Sequence, residues 1–473
     1  MFRLSEMIRA LTGKEIQGED YHFHEAVRDS HEAADGTLFV AIPGERTDGH
    51  KFIPDAFAGG ARAALVQEDI PEDFPVIDLR VGGDKKIELN GLEPVCFRVD
   101  NTIDALQKIA AYHRTQLPQM EVLGITGSVG KTSSKELIYD VLSRHYRTLK
   151  TAGNMNNEIG LPLTMLKADE NTEQAVLEMG FYVPGEIDQL CQIAAPSVGV
   201  ITNVGMVHAS RAGSMEVIAQ GKSELVRALL AEGTAILNYD DPYVRPMAEV
   251  TKAKVFYYGV DPAADLFVSD VESLGLDGVR FVLNYHGEKH AAKIPLIGQH
   301  SAMTALRAAS VGLVKGLDWD EILDGLEHGR NQIRMRITKT THGGMLIDDS
   351  YNSSPDAVVA ALNLLSEMKG RKVAVMGDML ELGQYEKQGH ETVGSRAAQT
   401  CDVLVAVGPL SQYMCEAAIQ NGLDPVNVHR FDTAADSVSF VKEHFGGEQD
   451  VVLVKGSLGM KMKQIVEALE DEG

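Results

Sequence analysis

The chain has 473 residues, a formal net charge of −24, 44% hydrophobic and 24% charged residues, and four cysteines. That length predicts about three domains, and so acidic a surface excludes a non-specific grip on nucleic acid or an electrostatic lean onto anionic lipid. Cys96, Cys191, Cys401 and Cys415 are scattered without a C-x-x-C pair, which argues against zinc and disulfide frameworks and points to a reducing cytoplasm.

The first stretch, MFRLSEMIRALTG, reads as an amphipathic helix rather than a secretion signal, and no apolar run is long enough to span a bilayer. Residues 1–100 form a small α+β unit: Leu38–Ile42, Ala64–Gln67 and Pro94–Val99 read as strands and Phe52–Ala58 as a helix. A helix from Asn101 to Gln116, capped by Asn101 or Thr102, leads into Leu117-Pro118. Strands and helices then alternate through 101–327, the signature of a mostly parallel sheet. The strands are 121–126, 175–180, 197–205 and 234–240, with helices after Pro184, over Ser214–Ala231 and over Ser301–Lys315. Residues 265–297 interrupt this as antiparallel hairpins turning at Leu276-Asp277-Gly278 and His286-Gly287. A second alternating unit, 328–473, has strands at 345–350, 372–378, 403–408 and 450–456. Its helices lie near 356–368, 386–400, 411–420, 433–445 and 460–469, the pattern of a Rossmann-like doubly wound sheet.

The most informative stretch is EVLGITGSVGKT, 121–132. A buried strand runs into Gly127-Ser128-Val129-Gly130 and then a helix from Lys131. Backbone N–H groups in such a turn and at the helix start face a phosphate, and the glycines let it approach. Lys131 then reaches the β/γ-phosphates, the Thr132 hydroxyl ligates Mg²⁺, and Ser133 follows in the first turn. Ile125 stands where the wider G-x-x-x-x-G-K-[ST] pattern has glycine, so this is a narrower P-loop variant. Glu178 ends its strand as a hard oxygen ligand for the metal, or as a carboxylate paired with a helix N-terminus. His208 follows TNVG; its spacing alone favours a structural histidine over a metal ligand. Lys222 is either a solvated helix lysine or, if desolvated and neutral, an amine that CO₂ converts to a carbamate ligand. Glu224, two residues on, faces elsewhere on the helix and is structural.

Taken together, TGSVGKTSSKE (126–136), TAGNMNNEIGLP (151–162), LEMG (177–180), TNVGMVH (202–208), IAQGKSEL (218–225), DDSYNSSP (348–355), GDMLELG (377–383) and VKGS (454–457) resemble the Mur ligases. These are the ATP-dependent amide ligases of peptidoglycan precursor synthesis, and the resemblance covers all three units. N-x-N-N-E-I-G and DDSYN resemble the member that adds a dipeptide. The implied partners are therefore UDP-N-acetylmuramoyl-tripeptide, D-alanyl-D-alanine and ATP, in a cytoplasmic monomer. A sister ligase or a folylpolyglutamate-synthase-like enzyme adding one amino acid is the alternative.

The resemblance assigns Gly127, Ser128, Val129, Gly130, Lys131, Thr132 and Ser133 to the ATP phosphates. It assigns Thr132 and Glu178 to one Mg²⁺, and His208 with a carbamylated Lys222 to a second. Asn154 and Asn157 fall at the junction of substrate and γ-phosphate, and Arg334, Asp349 and Asn352 on the C-terminal unit that closes over the nucleotide and takes the incoming dipeptide. Asp29, Ser30 and the Thr47-Asp48-Gly49-His50 loop fall at the UDP-sugar. Three positions depart from the family: Asp29-Ser30-His31 replaces D-S-R, His300-Ser301-Ala302-Met303-Thr304 replaces H-N-x-x-N, which leaves Thr304 or nothing for adenine, and DDSYNSS replaces DDSYNAN.

Overall fold

Apolar runs punctuated by glycine and proline become strands in three separate larger sheets, seen in a computed structural model that describes all residues except 17–19, 45–46, 71–73, 81–93, 207–208, 330–334 and 471–473. Among the described residues, no helix is long and apolar enough to cross a membrane. All four cysteines are free and buried.

The N-terminal sheet has five strands in the order Ala26–Val27, Leu38–Val40, Ala63–Val66, Val95–Arg98 and Val76–Asp78, all paired in parallel. A short antiparallel pair, Phe2–Arg3 with His22–Phe23, lies beside it. The helix Thr102–Thr115 is capped by Asn101, whose Oδ1 accepts from Ile103 and Asp104 N–H. That cap removes two unsatisfied donors at the helix start.

The central sheet has nine strands, ordered Glu288–Ile294, Val279–Tyr285, Leu266–Ser273, Lys254–Gly259, Thr234–Asn238, Val198–Ile201, Glu121–Thr126, Gln174–Glu178 and Thr148–Lys150. From Leu266–Ser273 onward along that order the pairings are parallel, and the first two are the expected antiparallel hairpins. Gln174–Glu178 is buried at every position, as a strand covered on both faces must be. Two strands extend the sheet beyond the alternation read from sequence. Lys254–Gly259 carries a Val-Phe-Tyr-Tyr run of good strand formers, whereas Thr148–Lys150 is too short and polar to announce itself. Val198–Ile201 stops before TNVG, which leaves the sheet to support the glycine loop. A further helix, Trp319–Glu327, opens with an Asp318/Glu321 capping box, a signature legible in D-W-D-E.

The C-terminal sheet has six strands: Arg336–Lys339, antiparallel to Met345–Asp349, then Asp450–Lys455, Arg371–Gly377, Val403–Val407 and Val428–Phe431 in parallel. Its last helix starts at Lys463, not 460, because Leu458–Met460 is a 3₁₀ turn and Lys461 takes φ 54°. Contacts join this unit to the central one: Ser210 N–H donates to Glu381 O at 3.1 Å, and Ser273 Oγ donates to Glu367 at 2.5 Å. The carboxyl ends of strands from both sheets thereby border one cleft.

Candidate active site

The strand Glu121–Thr126 delivers the chain into Gly127-Ser128-Val129-Gly130, and Gly130 is the N-cap of the helix Lys131–Leu142. Gly127 and Gly130 have φ of 148° and 84°, backbone conformations that side chains resist. A Cβ at 127 would also collide with Thr202 Oγ1. The TNVG segment holds the loop open. Ser128 N–H donates to Asn203 O and Val129 N–H to Asn203 Oδ1, both at 2.9 Å, while Thr202 Oγ1 and Asn203 Nδ2 donate to Val129 O. Lys131 Nζ arches back to donate to Gly127 O at 2.7 Å and Ser128 O at 3.3 Å. The ammonium thus sits over the turn, at the positive end of a helix dipole.

Next to it is a cluster of hard oxygens. Thr132 Oγ1 donates to Glu178 Oε2 at 2.9 Å, and Asn156 Nδ2 donates to Oε1 at 2.8 Å. Glu178 is 1% exposed and makes no ion pair with a described residue. A buried carboxylate held by neutral groups, beside a hydroxyl and a phosphate loop, has the donor chemistry Mg²⁺ takes. Lys222 is also 1% exposed, its Nζ 4.9 Å from the centre of the Phe181 ring. Burial, then the charge of Lys131, lowers its amine well below the ordinary lysine value, so a neutral, nucleophilic form is accessible. Glu224 turns away and accepts from Gly185 and Asp188 N–H at 2.7 and 3.0 Å, capping the helix Glu186–Ala194.

A cavity of about 530 Å³ opens from this cluster toward the C-terminal sheet, within the range of small-molecule sites. Ser128 to Ser133, Asn154, Asn156, Glu178, Thr304 and Arg307 line the central side; Asp349, Asn352, Asp356 and Lys455 line the other. Lys455 Nζ donates to Asp349 Oδ2 at 2.6 Å and Asn352 O at 2.8 Å, fixing both residues at the end of the strand Met345–Asp349. His300, another lining residue, is lowered by burial despite the charge of Asp349, and Arg307 adds to that. Asp356 is raised by burial and by Asp241.

Asn157 does not line the cavity: its Oδ1 accepts from Gly160 N–H at 2.9 Å, at the start of the helix Gly160–Met165. Asn156, which the sequence reading did not single out, holds Glu178 instead. The N-x-N-N repetition supplied no means of telling the two apart. Arg307 was also not singled out, although a lone arginine inside the apolar run ALRAASVG is a visible irregularity. His208 and Arg334 lie outside the described residues.

Asp29, Ser30, Thr47, Asp48, Gly49 and His50 belong to the N-terminal unit and do not line this cavity. Asp29 accepts from His31 N–H and ring at 3.0 and 2.9 Å; Asp48 does the same for His50 at 3.0 and 2.7 Å. Gly49 N–H donates to Ile42 O, and a Cβ there would lie 2.6 Å from Ile42 N. The His50 ring is buried, with Nε2 accepting from Gln67 N–H at 3.0 Å.

Comparison with known proteins matches residues 22–114 to the Mur ligase family catalytic domain, 125–312 to the Mur ligase middle domain and 333–458 to the Mur ligase glutamate ligase domain. The chain is 34% identical over 473 residues to UDP-N-acetylmuramoyl-tripeptide--D-alanyl-D-alanine ligase of Bacillus subtilis, covering 98% of this chain and 97% of the relative. Its Escherichia coli counterpart is 32% identical, with 99% and 98% covered. Among solved structures, MurF from Acinetobacter baumannii superposes with a TM-score of 0.83 at 28% identity, over 98% of this chain and 97% of that one. MurF ligase from Thermotoga maritima, in complex with ADP, gives 0.75 at 27% identity, over 94% and 96%.

Proposed function

We infer the function from the family: the chain belongs to the Mur ligases, and it is an ADP-forming amide ligase that joins D-alanyl-D-alanine to UDP-N-acetylmuramoyl-tripeptide. The observation that carries this reading to the residues is the glycine loop with Lys131, Thr132 and Glu178 gathered at one mouth of a cavity walled by two sheets.

A carboxylate is a poor acyl donor and must be activated before an amine can displace an oxygen from it. In the proposed sequence, a tripeptide carboxylate oxygen attacks the γ-phosphorus of ATP, the bond to the bridging oxygen breaks, and ADP leaves with an acyl phosphate formed. The dipeptide amine then attacks the acyl carbon, loses a proton, and phosphate leaves. The chain's own work is positioning and charge stabilisation. The loop N–H groups and Lys131 hold the phosphates, and Lys131 swings from Gly127 O to the β/γ end. Thr132 and Glu178 would hold Mg²⁺, which would supply positive charge to offset the repulsion between carboxylate and triphosphate. His208 and Lys222 would serve a second ion, Lys222 supplying an anionic oxygen if carbamylated. Asn154 orients the substrate near the γ-phosphate; Asn157 acts through the start of the helix Gly160–Met165, from whose first N–H it accepts. Asp349, Asn352 and Arg334 close on the nucleotide from the C-terminal unit, which keeps water from the acyl phosphate.

The N-terminal unit takes the UDP-sugar at Ser30, Thr47, Asp48, Gly49 and His50. The domains divide at 100 and 327, and the enzyme acts as a monomer in the cytoplasm, where ATP and nucleotide-linked precursors are made and thiols stay reduced. The test is ADP release by purified protein with UDP-N-acetylmuramoyl-tripeptide and D-alanyl-D-alanine. Release only with both, with pentapeptide formed, is the expected result; release with single amino acids in place of the dipeptide would move the enzyme to a sister activity.

A further inference from the structure

Arg307 is 5% exposed, on the helix Ser301–Val314, and lines the cavity. Its Nε donates to Ser134 Oγ at 2.7 Å and its Nη2 to Thr304 Oγ1 at 3.0 Å; the guanidinium carbon also lies 5.9 Å from the centre of the Tyr258 ring. Ser134 in turn donates to Gly130 O at 2.6 Å, so that hydroxyl is fixed as an acceptor for Arg307. All three partners are neutral, and no carboxylate among the described residues pairs with this side chain. A guanidinium stays charged in proteins and carries more N–H donors than two hydroxyls use. Burying such a charge without a counter-ion is unfavourable unless an anion joins it.

The position says which anion. Thr132 and Ser134 stand two residues apart on one helix, so they project from different faces. Thr132 goes to Glu178 and the metal end; Ser134 goes to Arg307. Arg307 Nη2 would lie 3.1 Å from a Cβ at Gly130, directly against the helix start that receives phosphate. A triphosphate with its reacting end at Lys131 and Thr132 presents its opposite, ribose-bound phosphate on the Arg307 side.

We propose that Arg307 is a nucleotide-binding residue, a prebuilt buried cation whose guanidinium fork takes the α-phosphate of the bound nucleotide while Ser134, Thr304 and Tyr258 hold it in place. This rests on the ATP-dependent reading of the cavity. Arg307 sets the affinity for the nucleotide, acting equally on substrate and product, because the α-phosphate does not change in the reaction. Its loss therefore falls mainly on KM for ATP rather than on kcat.

The test uses the full chain and Arg307→Met and Arg307→Lys, with adenosine, AMP and ADP as probes in calorimetry. In the unaltered protein AMP should bind at least about tenfold more tightly than adenosine, a gap that one charge-assisted contact supplies. In R307M that gap should shrink to within about threefold and KM for ATP should rise about tenfold, with R307K intermediate. The ligand-free melting midpoint should change little, since the Ser134 and Tyr258 hydroxyls keep their own donor bonds to Gly130 O and to Ile201 and Thr202 O. An unchanged AMP-to-adenosine gap in either folded variant overturns the proposal. So does a lowered ligand-free midpoint with the gap intact, which marks a structural strut. If the unaltered protein binds AMP through Arg307 yet hydrolyses no ATP with both acceptors present, the ligase reading fails and this one stands.

Discussion

The cleft between the central and C-terminal sheets and the Thr47–His50 loop of the N-terminal unit are both rich in polar side chains, yet they manage charge in opposite ways. In the loop, each polar group meets its need locally: Asp48 takes the N–H and ring of His50, and His50 takes the N–H of Gln67. In the cleft, Arg307 is a buried cation and Glu178 a buried carboxylate, neither with a partner of opposite charge among the described residues, and behind Phe181 the buried Lys222 amine likewise lacks a carboxylate. Groups satisfied by their own backbone stabilise a shape. Groups left with unmet charge are poised for a ligand that brings the opposite sign.

The comparison can be broken most sharply at Lys131. Lys131→Ala should lower ligation on the order of 10³-fold, because one preorganised charge is lost from the transition state, while the melting midpoint stays put. Near-normal ADP release from this variant would remove the phosphate assignment. Lys222→Ala should cost on the order of 10²-fold through the metal environment. A small carboxylic acid added to that variant should restore part of the activity by standing in for the carbamate oxygen; no loss in the variant would return Lys222 to the structural residues.

On the other side of the comparison, Asp48→Ala should cost about 1 kcal/mol through its lost cap, a fall of about 4–8 °C in the melting midpoint of a unit of that size, seen by calorimetry. Stability untouched by that change would mean the loop is not self-satisfied. The smallest effect concerns Asp356, whose carboxyl is raised by burial and by Asp241. A carboxyl raised in the folded state holds its proton more tightly there than in the unfolded chain. Stability from this group is therefore present at low pH and lost as pH climbs from the ordinary aspartate range through the folded value. Asp356→Asn should gain about one or two degrees at pH 7 and nothing at pH 3; equal midpoints of variant and parent across that range would contradict the raised value.

Much of this was legible in the residues. The alternation of strands and helices, the three units and the glycine turn all rest on signals within a few positions: glycine at positive φ, the cap at Asn101, apolar runs bounded by turns. The misses were of one physical kind. Thr148–Lys150 is a strand because an edge was available beside Gln174–Glu178, and Asn156 rather than Asn157 reaches Glu178 because of how the loop after Thr151 turns.

By itself, then, the sequence determined where the backbone can turn tightly ahead of a helix, since steric freedom at Gly127 and Gly130 and the helix beginning at Lys131 are local properties. Only the tertiary structure decided which charges lose their water. Arg307 meets Ser134 across 173 positions, and Lys222 is desolvated by Phe181. Desolvation depends on what packs from every side, and no short stretch of chain carries that information.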